Sequence, residues 1–357
     1  MFSKWIFAEA LPTWALFAEM ALAGLVVIIA GGRFARLADR LADRLNLASG
    51  WVGLLLVATV TSLPELVSGG TAVAIGNAGM ALAAIFGSCS FNITLIVLLN
   101  ALWGGGSVLR GVSASHSLSS SFGILLLGIA MIGVVLGETF SGRPDIAWVC
   151  EGAWALIIVI TYFGCMRLIL TYERRNADTE AAAGERQPYG TAGYIQMGVV
   201  ATVIVVASWW LAQIGDTLST HEIKMIGRPL GATFVGAAFV AVATSLPEIS
   251  TSVAAVRLGN LDLALGNIFG SNMFNIFVIP MLKAVSLCTG EPLLMDSGFD
   301  ATQNLFTGLL AMLLTAIAIS GLVYQSKRKL LRRFGLDSIM IAVVYAGGMV
   351  LLVMGTG

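Results

Sequence analysis

Charge is scarce in this 357-residue sequence: Asp, Glu, Lys and Arg together make up 11%, where a soluble domain carries about 25%. That shortage excludes an ordinary soluble enzyme and a disordered chain. Its 20 basic residues are matched by 20 acidic ones, so the basic excess of a nucleic-acid binder is missing too. Histidine is nearly absent. His116 and His221 both fall between apolar runs, so a membrane protease or haem site built on intramembrane histidine lacks its residues. The four cysteines, Cys89, Cys150, Cys165 and Cys288, show no CxxC spacing and no small secreted framework. They read as small apolar residues in helices.

Apolar residues fill the space that charge leaves. They make up 57% of the chain, enough for about ten spans of about 20 residues each. The 41 glycines suit transmembrane helices. The runs are 12–31, 50–75, 80–103, 118–137, 147–170, 194–218, 230–256, 262–288, 302–324 and 336–355. The expected fold is therefore an all-α integral membrane protein of about ten transmembrane helices. The N-terminus imitates a signal peptide, with Lys4 and an Ala21-Leu22-Ala23 site. Glu9 and Glu19 interrupt it and the apolar run continues to Ala30, so it reads as the first span. Residues 31–50 alternate Leu and Phe with Arg and Asp at helical spacing, as an extension lying at a membrane interface would. Residues 171–193 are hydrophilic and read as a cytoplasmic linker between halves 1–170 and 194–357.

Fifteen of the 20 basic residues fall in loops on one side of these spans. The other side holds Lys4, Arg143, Lys224, Arg228 and Lys283, with nine acids that include Glu151. The bias puts the basic side in the cytoplasm of a cell membrane and both termini outside. Three acids, Glu19, Glu65 and Glu248, are left in the spans with no basic partner counted there.

The strongest signal is internal. Residues 59–93 align with 242–276 at a constant offset of 183, with 18 of 35 positions identical and no gap. The copies fall on spans 2–3 and 7–8. An odd number of spans separates them, so they cross the membrane in opposite directions. Such an inverted repeat of two five-helix halves is the mark of many secondary transporters, with the site near the midplane.

Each copy carries TSLPE, which sets Glu65 or Glu248 inside an apolar span. An intramembrane carboxylate is costly and points to function. The bland alternative is a protonated Glu bonded to a neighbouring helix, and a repeat-related pair counts against it. Thr61 and Ser62 lie four and three residues before Glu65, on its helix face, and Thr244 and Ser245 do the same for Glu248. Pro64 and Pro247 remove helical hydrogen bonds and release carbonyls one turn back. Ser88 and Asn92, and Ser271 and Asn275, are again four apart. Gly87 and Gly270 allow close helix approach. Carboxylates, hydroxyls and carbonyls are the hard ligands that Ca²⁺ and Na⁺ prefer. Asn77, Asn260 and Asp262 read as helix-end chemistry. Glu19, toward the outer end of its span, is the weaker candidate, for an interfacial or entry role.

The paired SLPE, GN and GSxxFN motifs resemble the cation/calcium exchanger superfamily, and within it the prokaryotic Na⁺/Ca²⁺ exchangers. The GNAxEH-like form of the H⁺/Ca²⁺ branch is absent. The resemblance implies that Glu65 and Glu248 bind Ca²⁺ and also hold Na⁺. It implies oxygens from Thr61, Ser62, Thr244, Ser245, Ser88 and Ser271, the backbone carbonyls of Ala58 and Ala241, and Asn92 and Asn275 as the last polar pair. It implies exchange for several Na⁺, usually three, with helices 1 and 6 sliding across the core. Three positions depart from the pattern. Asn275 stands where exchangers often carry Asp, Cys89 where the motif usually has Asn, and Ala84 where it has the Asn of a GN pair.

The function expected is Na⁺/Ca²⁺ antiport by alternating access. The alternative is a cation/H⁺ antiporter that protonates the same two glutamates. A cation channel needs no mirrored gates. An intramembrane enzyme would use Ser62 or Ser245, with no intramembrane His or Lys base available. The expected partners are the ions and membrane lipid, with no cofactor and no nucleic acid, and the expected working unit is a monomer.

Overall fold

The computed structural model describes residues 13–104, 106–140, 142–180, 190–220, 222–223, 228–229, 244–290, 293, 301–325 and 334–355. Its helices are α1 (Thr13–Leu45), α2 (Ser49–Ala74), α3 (Ala78–Trp103), α4 (Ser115–Thr139), α5 (Pro144–Glu180), α6 (Thr191–Thr220), α7 (Leu246–Arg257), α8 (Leu261–Thr289), α9 (Ala301–Tyr324) and α10 (Leu336–Gly355). All ten expected spans meet one of them; residues 230–243 of the seventh lie outside the described residues. Eight of the helices are long and apolar enough to cross a membrane. A two-residue ribbon, β1 (Glu222–Ile223) with β2 (Arg228–Pro229), is antiparallel.

The expected spans stop short in two places. Residues 171–180, placed in the linker by composition, continue α5 as helix, because no Gly or Pro breaks that stretch. Residues 31–45 do extend α1, but their apolar face does not meet lipid headgroups. Phe34, Ala38 and Ala42 are buried in one cluster with Met197 of α6, Val256 of α7 and Leu263 of α8. A stripe at helical spacing looks the same whether lipid or protein covers it. Asn46, with φ of 52°, ends the helix.

α8 is the most buried span and α1 and α6 are the least. α8 packs against α2, α3, α4, α5 and α7, which agrees with a helix apolar on every side. Between membrane helices close packing stands in for the water-driven effect. Here the packing is backbone to backbone. A Cβ on Gly266 would collide with the Gly50 carbonyl, one on Gly270 with the Leu54 carbonyl, and one on Gly53 with the Leu263 carbonyl. At this crossing α2 is wound as a π-helix over Gly53–Val57, a form that marks functional sites.

The two repeats break at matching points. Ser62 (φ −95°, ψ 4°) interrupts α2 and Ser245 (φ −87°, ψ 4°) precedes α7. Each is followed by a helix with Pro in its first turn. Gly76 and Gly259 take φ of 79° and 82°, the left-handed turn that glycine permits. Asn77 and Asn260 then cap α3 and α8 by accepting from Met80 N and Leu263 N, the helix-end role expected of them.

Candidate functional site

Glu65 and Glu248 both sit in the first turn of a helix that restarts in the core. The partial positive charge of a helix N-terminus favours a carboxylate there. Both are buried, at 4% and 0% exposure, and they lie within electrostatic reach of each other. Ser62 Oγ donates to Glu248 Oε1 at 3.2 Å, so the first repeat reaches into the second. Thr61 Oγ1 lies 3.3 Å from Ser271 Oγ, 3.2 Å from Asn267 Oδ1 and 3.3 Å from the Ala58 carbonyl. The Ala58 carbonyl also accepts from Ser62 N at 3.0 Å.

Several buried polar atoms here have no protein partner. They are both Glu65 carboxylate oxygens, Glu248 Oε2, Ser245 Oγ, Asn92 Oδ1 and both amide atoms of Asn275. Buried polar atoms are nearly always hydrogen-bonded, so a group of orphans points to a ligand. Three of them are carboxylate oxygens and the others neutral, which fits a hard cation. The structure thus brings together Glu65, Glu248, Thr61, Ser62 and Ser271. It buries Thr244 and Ser88 and places the Asn275 amide beside Cys89. Ala241 lies outside the described residues.

Two residues that motif reading left out share this core. Asn267 Nδ2 donates to Thr251 Oγ1 and Ser252 Oγ, both at 2.9 Å, while its Oδ1 accepts from Thr61. Asn272 donates to the Cys89 carbonyl at 3.0 Å and accepts from Asn92 Nδ2 at 3.1 Å. Their repeat mates are Ala84 and Cys89. The one-sided asparagines in the alignment were the available signal.

A buried ion pair lies outside this group. Lys283 Nζ donates to Glu151 Oε2 at 2.5 Å and lies 3.7 Å from the Trp148 ring centroid. Both residues are buried, which corrects their assignment to the outer loops and the statement that the spans hold no base. Each falls inside its own apolar run, 147–170 or 262–288, which was the signal. The ammonium is held against Glu151 and supplies no base to Ser62 or Ser245. A second polar joint lies outside the group: Asp262 accepts from Ser113 N at 2.7 Å and pairs with His116 Nε2 at 2.8 Å. It ties the start of α4 to the start of α8.

The family model described as sodium/calcium exchanger protein matches residues 15–171 and 193–354. The sodium/calcium exchanger MaX1 of Methanosarcina acetivorans is 27% identical, covering 72% of this chain and 79% of its own. The inner membrane protein YrbG of Escherichia coli is 28% identical, covering 66% and 68%. In fold the chain is similar to the sodium-calcium exchanger NCX_Mj, at a TM-score of 0.65 and 18% identity, covering 94% of this chain and 98% of that one.

Proposed function

Because the chain belongs to the sodium/calcium exchanger family, we propose that it is an electrogenic Na⁺/Ca²⁺ antiporter. The observation that carries this is the repeat-related pair Glu65 and Glu248, buried together with three of their four carboxylate oxygens lacking a protein partner. Two carboxylates neutralise one Ca²⁺. Three Na⁺ at the same carboxylates leave one positive charge. Each cycle then moves net charge and responds to voltage by about 2.3 kcal/mol per charge per 100 mV.

The remaining ligands are Thr61, Ser62, Thr244, Ser245, Ser88, Ser271, Asn92, Asn275 and the carbonyls of Ala58 and Ala241. Two halves meeting at the hydrophilic stretch 171–193, whose first ten residues continue α5, form the inverted pair. α1 and α6 pack along each other at the outside of the core. Their light burial suits the sliding pair that exposes the site to each side in turn. The basic bias places both termini outside the cell membrane.

The test is Ca²⁺ uptake into proteoliposomes under imposed Na⁺ or H⁺ gradients. Uptake should follow the Na⁺ gradient and fall to background in Glu65→Gln and in Glu248→Gln. Uptake driven by pH and indifferent to Na⁺ overturns the coupling in favour of H⁺ exchange. Preserved uptake in either variant overturns the site.

A further inference from the structure

Two orphaned polar atoms stand apart from the exchange site, one on each of the helices that cover it. Glu19 of α1 has its Oε2 buried without a protein partner. Among the described residues no Lys, Arg or His pairs with it. Ser208 of α6 is fully buried and its hydroxyl has no partner either. A serine inside a helix ordinarily bonds back to the carbonyl four residues before it, as Thr202 of the same helix does to Gly198 at 2.9 Å. Ser208 leaves that bond unmade.

Both residues belong to one seam. Glu19 falls between Leu16 and Ala23 on a single face of α1. Those two pack with Leu211 and Ile214 of α6 and with Leu246 of α7. Ser208 lies three residues before Leu211, one turn deeper on the same face of α6. α1 also runs directly beside the break in the second repeat. A Cβ on Gly24 would meet the Leu246 side chain at 3.4 Å, and Ser250 Oγ donates to the Val27 carbonyl at 3.4 Å. Leu246 sits between Ser245, whose hydroxyl is another orphan, and Glu248. Glu19 stands five residues before Gly24. At about 1.5 Å per residue that is roughly 7 Å nearer the end where α1 begins.

A carboxylate in such a seam is costly and adds nothing to apolar packing. We propose that Glu19 and Ser208 form an outer waypoint, where a cation arriving at the α1 end sheds part of its water before passing along the α1–α6 seam to Glu248. The proposal rests on the reading that Glu65 and Glu248 hold the exchanged cation and that α1 begins outside. One carboxylate and one hydroxyl are too few oxygens for a resting Ca²⁺ site, which takes about six to eight. The ion therefore keeps most of its water here and moves on. The waypoint is mounted on the sliding pair itself, so it travels with the helices that open and close the path.

The experiment has two arms. In the first, Na⁺-driven Ca²⁺ uptake is measured in right-side-out and in inside-out membrane vesicles. Glu19→Gln should raise the half-saturating Ca²⁺ concentration about tenfold when the ion approaches from outside, the low end of what a charged approach does for association rates. From the cytoplasmic side it should change nothing. The maximal rate should survive, unlike in Glu65→Gln or Glu248→Gln. Ser208→Ala should act in the same direction, more weakly, and add little once Glu19 is gone. An equal rise on both faces, no rise at the outer face, or a lost maximal rate overturns the waypoint. The second arm needs no transport. Cys89→Ala, Cys150→Ser, Cys165→Ala and Cys288→Ser remove the native thiols, and Ser208→Cys places one in the seam. A membrane-impermeant methanethiosulfonate should label it from outside only. Na⁺ or Ca²⁺ should slow that labelling in a chain with Glu19 and not in one carrying Glu19→Gln. No labelling, labelling from the cytoplasmic side, or slowing that survives Glu19→Gln overturns the proposal. If the parent takes up no Ca²⁺, the exchange reading fails, and the labelling still decides the waypoint.

Discussion

The two repeats share a backbone plan and differ in the chemistry mounted on it. In the second, Asn267 ties α8 to Thr251 and Ser252 of α7. In the first, Ala84 occupies the matching place and can tie nothing. Glu248 is held by Ser62, while both Glu65 oxygens lack a protein partner. The outer frame shows the same division. Asn100 of α3 donates to Ser338 of α10 and accepts from Val108 N at 2.5 Å. Its repeat mate is Lys283 of α8, which joins Glu151 of α5. Each joint crosses from one half to the other. One is a neutral amide network and the other an ion pair. Repetition fixes where helices meet, and single substitutions then decide what each meeting point does.

The sharpest way to break this comparison is at the joints. Lys283→Met removes the ammonium from a buried carboxylate and should cost about 3–5 kcal/mol. It should lower the melting temperature of the purified protein more than Asn100→Leu does, since a lost neutral network costs about 1–3 kcal/mol. The double variant Glu151→Leu with Lys283→Met should recover much of the loss, because an apolar pair replaces a buried ion pair at little cost. Equal melting of the two single variants would show that the charge is irrelevant.

A smaller effect is expected inside the core. Asn267→Ala copies the first repeat into the second and leaves the hydroxyls of Thr251 and Ser252 without their amide. It should cost about 1–3 kcal/mol and weaken the thermal shift that Ca²⁺ produces. An unaltered Ca²⁺ shift would separate Asn267 from the site. The smallest change concerns where voltage acts. On the proposed exchange of three Na⁺ for one Ca²⁺, two carboxylates leave the Ca²⁺-loaded site neutral and the Na⁺-loaded site with one positive charge. Asn275→Asp adds a third, so the Na⁺-loaded site becomes neutral and the Ca²⁺-loaded one negative. Charge per cycle stays the same while the voltage-sensitive step moves from Na⁺ to Ca²⁺ translocation. Current recordings from proteoliposomes under one-sided ion jumps would show it, and an unmoved step would count against Asn275 lining the site.

Much of this was readable without coordinates. Apolar run length gave the ten helices, and the offset of 183 led to Glu65 and Glu248. Pro64 and Pro247 marked the breaks that Ser62 and Ser245 make. What stayed hidden depends on contacts between distant residues. The π turn at Gly53–Val57 is pressed against Gly266 and Gly270, more than 200 positions away, and carries no local signature. The stripe at Phe34, Ala38 and Ala42 could not say which surface would cover it. Lys283 and Glu151 went to the loops because charges were sorted by topology, when each lay inside an apolar run.

That ion pair also sets an order of events during synthesis. Glu151 leaves the ribosome 132 residues before Lys283, an interval of roughly 7 to 26 s at about 5–20 residues per second. For that time α5 carries a carboxylate near one end of its span without the lysine that will face it, at an insertion cost below the roughly 2.5–3.5 kcal/mol of a centrally placed acid. The long apolar run of α5 has to carry that load alone. The first half is thus inserted before it is finished, and its last joint closes only when the second half arrives.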